Sequence, residues 1–182
     1  MSNEVDARID EFVTRTRELT GKEVRERDPW HNEASADAIR HFAYGTDDGN
    51  RLWLDPAYAA KSRHKRILAP PAFLVSVLYP ILHGAPTEAP LSSLIGGLEF
   101  EWYLPVYVED KLRVRSIQKD MYEKKSSSGK RLIFVISECT YWNQDDKVVA
   151  KAIGTMIRAT QVGTELLFER PIYRYSERAG GD

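Results

Sequence analysis

PAFLVSVLYPILH, residues 71–83, is apolar almost all the way round. A helix without a polar face has no side to turn to water, so this run belongs inside a fold. Pro80 lies within it and is expected to kink or end the helix, because proline lacks the N–H and crowds the preceding turn. One buried helix needs a wrapping, and the sequence that follows supplies it.

GAPTEAPLSSLIGG, residues 84–97, reads as a flexible or irregular connection. After Gly97 the texture changes. Leu98, Phe100, Trp102 and Leu104 alternate with Glu99, Glu101 and Tyr103, the pattern of a half-buried strand. A second strand fits 111–123, where Ile117 interrupts the alternation and marks a bulge. KKSSSGK, 124–130, makes a hairpin turn. RLIFVISECTYW, 131–142, is apolar on both faces in its first half and is expected to be a central strand. VVAKAIGTMIRAT, 148–160, is a fourth strand, with Ala150, Ala152 and Gly154 on one face for close packing. The strands form a long antiparallel meander.

Upstream, Val5, Ile9, Phe12, Val13 and Leu19 follow helical spacing over residues 4–20, and Gly21 is a stop. Residues 22–34 read as an irregular crossing. Ser35 is an N-cap for a helix over 36–45. Asp55-Pro56 is an N-cap followed by proline at the first helical position of a short helix to Lys61. Helices first and strands afterwards make an α+β arrangement, and a curled antiparallel sheet around one apolar helix makes a hot-dog fold. The expected division is a helical extension over 1–21, a hot-dog domain over 22–162 and a tail over 163–182.

With 182 residues, the chain suits one domain. Its 26 basic and 27 acidic residues leave a formal charge of −1, without the basic footprint of a nucleic-acid binder. Cys139 is the single cysteine, which excludes an intrachain disulfide and points to a reducing, cytoplasmic setting. No apolar signal-peptide core opens the chain, and its longest apolar run, around 69–82, is too short to span a bilayer.

AIRHFAYGTDDGNRLWLDPAYA, residues 38–59, followed by ILAPPAF, 67–73, resembles the MaoC-like hydratase/dehydratase family. The resemblance is greatest to the half-domains at the N-terminal side of its two-domain members. It spans most of residues 22–160. The family's loop runs glycine, aspartate, any residue, asparagine, proline, leucine, histidine, any residue, aspartate. On this chain those positions hold Asp47, Asp48, Gly49, Asn50, Arg51, Leu52, Trp53, Leu54 and Asp55. The resemblance implies hydration of a 2-enoyl thioester, or the reverse dehydration, on an acyl-CoA or acyl-carrier thioester, with no cofactor beyond the coenzyme A that is part of the substrate. In the family an aspartate and a histidine five residues apart hold the water, and a glycine N–H at the start of the central helix stabilises the enolate-like oxygen.

Two departures matter. Trp53 stands where the histidine would be, and an indole N–H donates a hydrogen bond without exchanging its proton near neutral pH. Pro71 stands at the glycine position and has no N–H to offer. Asp48 and Asn50 are then the remainder of a degenerate catalytic loop, and Trp53, Arg63, Arg66, Pro70 and Pro71 are candidate substrate-binding residues. Asp48 and Asn50 also fit a plain turn-bracing role, and Trp53 a packing role.

KSRHKR, 61–66, reads as either a solvated face or a contact for coenzyme A phosphates. His41 reads as structural, His83 as a residue at the end of the buried helix, where it suits the helix dipole, and His31 and His64 have no evident partners. No pair of histidines has metal-ligand spacing.

The resemblance therefore implies a non-catalytic, substrate-binding subunit of a hydratase, paired with itself or with a catalytic hot-dog chain. An active homodimer with an atypical site and a non-enzymatic acyl-CoA or lipid binder are the alternatives. A hot-dog thioesterase is disfavoured, because 71–83 contains no carboxylate.

Overall fold

A computed structural model of the chain describes residues 2–160. The expected tail from 163 lies outside the described residues. Helix α1 spans Ser2–Glu18, α2 Ala36–Gly45, α3 Arg51–Leu54 and α4 Pro56–Lys61. A 3₁₀ turn over Pro71–Phe73 leads into α5, Leu74–Val77. Four strands follow: β1 Leu91–Trp102, β2 Arg113–Lys125, β3 Arg131–Trp142 and β4 Val148–Thr160. They form one antiparallel sheet in the order β1-β4-β3-β2. This is the α+β hot-dog arrangement, a curled sheet holding the 71–90 segment on its inner face.

The caps act as their residue types require. The Ser35 Oγ accepts from Ala38 N at 3.1 Å, and the Asp55 Oδ1 accepts from Tyr58 N at 3.0 Å ahead of Pro56. Both satisfy N–H groups that a helix leaves without partners. The inward row of β3, Ile133, Val135, Ser137, Cys139 and Tyr141, is fully buried, as a central strand demands. The expected bulge in β2 falls between Gln118 and Asp120.

Three expectations need correction. Residues 71–83 are inside, with Phe73, Leu74, Val77, Ile81 and Leu82 buried, but the helix ends at Val77. Leu78 is extended, at φ −147° and ψ 125°, and Pro80 prevents the helix from resuming. The sheet satisfies the carbonyls that are left over. The Tyr141 hydroxyl donates to Leu78 O and the Ser137 hydroxyl to Pro80 O, both at 2.7 Å. Gly154 makes room for this crossing, since a Cβ there would lie 1.5 Å from Pro80 O. The small-residue face of β4 serves the purpose its composition suggested.

The second correction concerns residues 91–97, which are not an irregular connection. They are the first half of β1, paired with β4, and the Gly96–Gly97 pair sits at a bulge between Ile95 and Gly97. Third, only β2, β3 and β4 form a meander; β1 lies at the far edge beside β4.

Helix α1 closes the other end of the inner face. Ile9, Phe12 and Val13 pack with Ala89, Met121 and Ile133. Thr16 Oγ1 accepts from Ala85 N at 3.0 Å, and Gly84 (φ +85°) sits so close to Thr16 that a Cβ would lie 2.8 Å from it. Val5, counted in the apolar stripe, is exposed. No helix among the described residues is long and apolar enough to cross a membrane.

Candidate functional site

The loop after α2 begins with Asp47 in the left-handed region at φ +54°, and Asp48 N donates back to Ala43 O at 2.8 Å. That turn aims the Asp48 carboxylate forward into the loop. Its Oδ1 accepts from Asn50 N at 3.1 Å and its Oδ2 from Trp53 Nε1 at 2.9 Å. Asn50 caps α3 through Oδ1, which accepts from Leu52 N at 3.0 Å. Arg51 grips the Asp55 Oδ2 through Nε and a terminal nitrogen at 3.1 and 2.6 Å, and lies over the Tyr58 ring. The bonds from Arg51 and from the Tyr58 N–H hold the Asp55 carboxyl below its ordinary pKa. Asp48, Asn50 and Trp53 are thus brought together, with each Asp48 oxygen engaged by a donor from its own loop.

Trp53 faces inward from α3. Its ring packs on the main core cluster and forms a wall of an apolar pocket of about 230 Å³. Leu68, Pro70, Pro71 and Leu74 line the same pocket, so the sequence-based set Trp53, Pro70 and Pro71 converges on one cavity. The other wall is Trp102–Val106. Sequence alternation placed Trp102 and Leu104 inward on a half-buried strand. They are instead 49% and 39% exposed at the open side of the pocket. Trp102 Nε1 donates to Pro71 O at 3.0 Å. Pro71 opens the 3₁₀ turn and brings no N–H to it.

The basic cluster lies between α4 and the pocket. Arg66 sits 4.0 Å over the Tyr107 ring and 3.6 Å from Asp110, whose side chain is buried. Arg63 Nε donates to His64 Nε2 at 3.1 Å, and the other ring nitrogen of His64 lies 3.3 Å from the Tyr107 hydroxyl. Ala69 N bonds Val106 O, which ties the segment after the cluster to the pocket wall. Neither arginine lines the pocket itself.

The histidines are occupied elsewhere. His31 stacks on Phe73 with centroids 6.0 Å apart, and His41 lies 3.8 Å from Asp37. His83 is not at a helix end. Its ring and its backbone N–H both bond Glu26. Among the described residues no group of His, Cys, Asp and Glu could hold a metal ion.

Residues 18–152 match the family model described as FAS1-like, dehydratase domain region. The chain belongs to that family. A relative, the UPF0336 protein of Parafrankia sp. (strain EAN1pec), is 38% identical over 84 residues, 43% of this chain and 55% of that protein. The chain thus spans about half the length of that relative. Among solved structures, the ChsH1-ChsH2 complex from Mycobacterium tuberculosis is similar at a TM-score of 0.63 and 17% identity, over 87% of this chain and 95% of that one. The C terminal truncated HadBC (3R-Hydroxyacyl-ACP Dehydratase) complex from the same organism is similar at 0.61 and 18% identity, over 76% and 96%. The fold is that of the MaoC-like hydratases and dehydratases.

Within this chain the position of the loop was legible from its resemblance to the family motif. The second wall was not. Trp102, Tyr103 and Leu104 carry an ordinary strand pattern, and only their exposure beside Trp53 sets them apart.

Proposed function

We propose that this chain is the substrate-binding, non-catalytic half of an enoyl-CoA hydratase or 3-hydroxyacyl thioester dehydratase, paired with a catalytic hot-dog chain. The observation that carries the reading is the Asp48–Trp53 bond. Adding water across a thioester-conjugated double bond requires one group that takes a proton and another that supplies one. Here the carboxylate that would share the water is held by an indole, which does neither near neutral pH. The second departure concerns a different task. With Pro71 at the start of the turn, the N–H that would stabilise an enolate-like oxygen is missing from that position.

What remains suits binding. Trp53, Pro70, Pro71 and Leu74 offer an apolar wall for an acyl or pantetheine chain, and Trp102–Leu104 leave the pocket open on the side where a second chain would close it. Arg63 and the neighbouring Lys61 and Lys65 are exposed cations at its flank, suited to coenzyme A phosphates.

The test is turnover of crotonyl-CoA by the purified chain. Activity near the uncatalysed background is expected. Robust hydration that disappears in Asp48→Ala would show that the chain works alone by another route.

A further inference from the structure

A second cavity, of about 760 Å³, shares no lining residue with the Trp53 pocket. Its size falls within the range of about 300–1,000 Å³ typical of small-molecule sites. It lies between the 23–32 crossing, residues 78–82 and the start of β2. Leu78, Ile81 and Leu82, with Leu112 and Val114, give it an apolar floor.

The rim is charged, and its pairing is uneven. Arg25 pairs with Asp28 at 2.5 Å, Arg115 with Glu23 at 2.8 Å and Arg113 with Asp146 at 2.9 Å. Glu26 is taken by His83 at 2.9 Å. Arg27 is half-buried and lies 5.6 Å from the Trp30 ring centroid. Among the described residues it has no carboxylate partner and no hydrogen-bond acceptor. A partly desolvated guanidinium without a counter-charge is unfavourable, and a bound anion would relieve that cost.

We infer that this cavity binds a small amphiphilic monocarboxylate, its headgroup on Arg27 and its apolar chain against Leu78, Ile81 and Leu82. A single unmatched guanidinium suits one carboxylate, with which it forms a two-bond fork. The other rim charges are already paired, so one carboxylate matches the single free guanidinium, while a doubly charged phosphate would bring a charge without a partner. The site goes beyond the hydratase reading and does not depend on it, since no loop residue takes part.

Isothermal titration of the full chain with octanoate, 1-octanol and octyl phosphate tests the inference. Octanoate should bind best. Arg27→Gln should weaken it roughly tenfold or more, as loss of a charge-assisted bond implies, and Arg27→Lys should restore part of the affinity. Arg40→Gln, which removes a paired surface cation outside the cavity, should leave it within about twofold. Two sources could present the carboxylate: a free acid, or the far end of a dicarboxylic acyl thioester. Competition by the mono-pantetheine thioester of suberic acid identifies the second, and its absence the first; either way Arg27 must be required. The inference is overturned if octanol binds as tightly as octanoate, if Arg27→Gln, with unchanged melting, leaves octanoate affinity intact, or if octanoate does not bind at millimolar concentration.

Discussion

The Trp53 indole donates its only polar hydrogen to Asp48, and that bond is partly buried. Trp53→Phe keeps most of the packing and removes the donor, so it should cost about 1–2 kcal/mol in urea unfolding, as expected for a bond to a charged acceptor. Asp48→Asn should cost a similar amount, and the double variant less than the sum, because the two changes remove one interaction. Additive losses would mean that the bond contributes little. Cys139 provides a pH test. Burial raises its thiol pKa from 9.0 to about 11, so the folded state keeps a proton that the unfolded chain releases. This contribution to stability is complete below pH ~9 and is lost as pH rises towards about 11. At pH 8 iodoacetamide should label the native protein far more slowly than the protein in urea. The loop residues were readable because the stretch resembles the motif of a known family. Arg27 was not, since RERDPW has no pattern to mark one arginine as the unpaired one.

At the scale of elements, the 78–90 segment shows why a strong apolar run need not be a helix. An all-round apolar sequence reports burial and says little about period. What holds the segment extended is chemistry on distant strands, the hydroxyls of Ser137 and Tyr141 and the missing side chain of Gly154. None of these is adjacent in sequence to Pro80, so the ending at Val77 could not be read locally. Strands β3 and β4 were legible to their ends because their period of two is tied to one buried face, and turn residues bound both. The Gly96–Gly97 pair misled for the opposite reason: glycine weakens a strand pattern, yet here it marks the bulge that keeps β1 in register. Gly154→Ala would drive a methyl group into the Pro80 carbonyl, and a loss of roughly 4 kcal/mol or more is expected, against about 1–3 kcal/mol for Ser137→Ala, which only unpairs a buried acceptor. Thermal melts of the two variants check the order. A Gly154→Ala protein as stable as the parent would mean that the segment can shift away from the sheet.

At the scale of the molecule, the two sheet edges differ. β2 is covered by the 21–24 crossing through Gly21 N to Gln118 O, Gln118 N to Lys22 O and Val24 N to Ser116 O. β1 has β4 on one side only, and its Leu94 and Ile95 are 56% and 59% exposed. An exposed apolar edge invites pairing with another chain. The outer face continues the apolar surface, since Leu94, Ile157, Phe134 and Tyr122 lie in one row across all four strands. The apolar first half of β3 was visible in sequence; that its outer side is left half-exposed was not, because it depends on which strand lies beside which. The expected assembly is therefore a pair of hot-dog chains joined along β1, and obligate interfaces of that kind bury ~2,000 Å² or more. Light scattering should give at least twice the 20.8 kDa of one chain, either alone or after co-expression with a chain carrying an intact aspartate–asparagine–histidine loop. Leu94→Lys with Ile95→Lys should return it to a monomer without unfolding it, because both side chains already face water. In the mixed pair, replacing the partner's histidine should abolish hydration of crotonyl-CoA, while Asp48→Ala in this chain should leave most of it. A stable monomer under both conditions would remove the assembly. The reverse pattern of variants would place the chemistry on this chain, with Asp48 as its base.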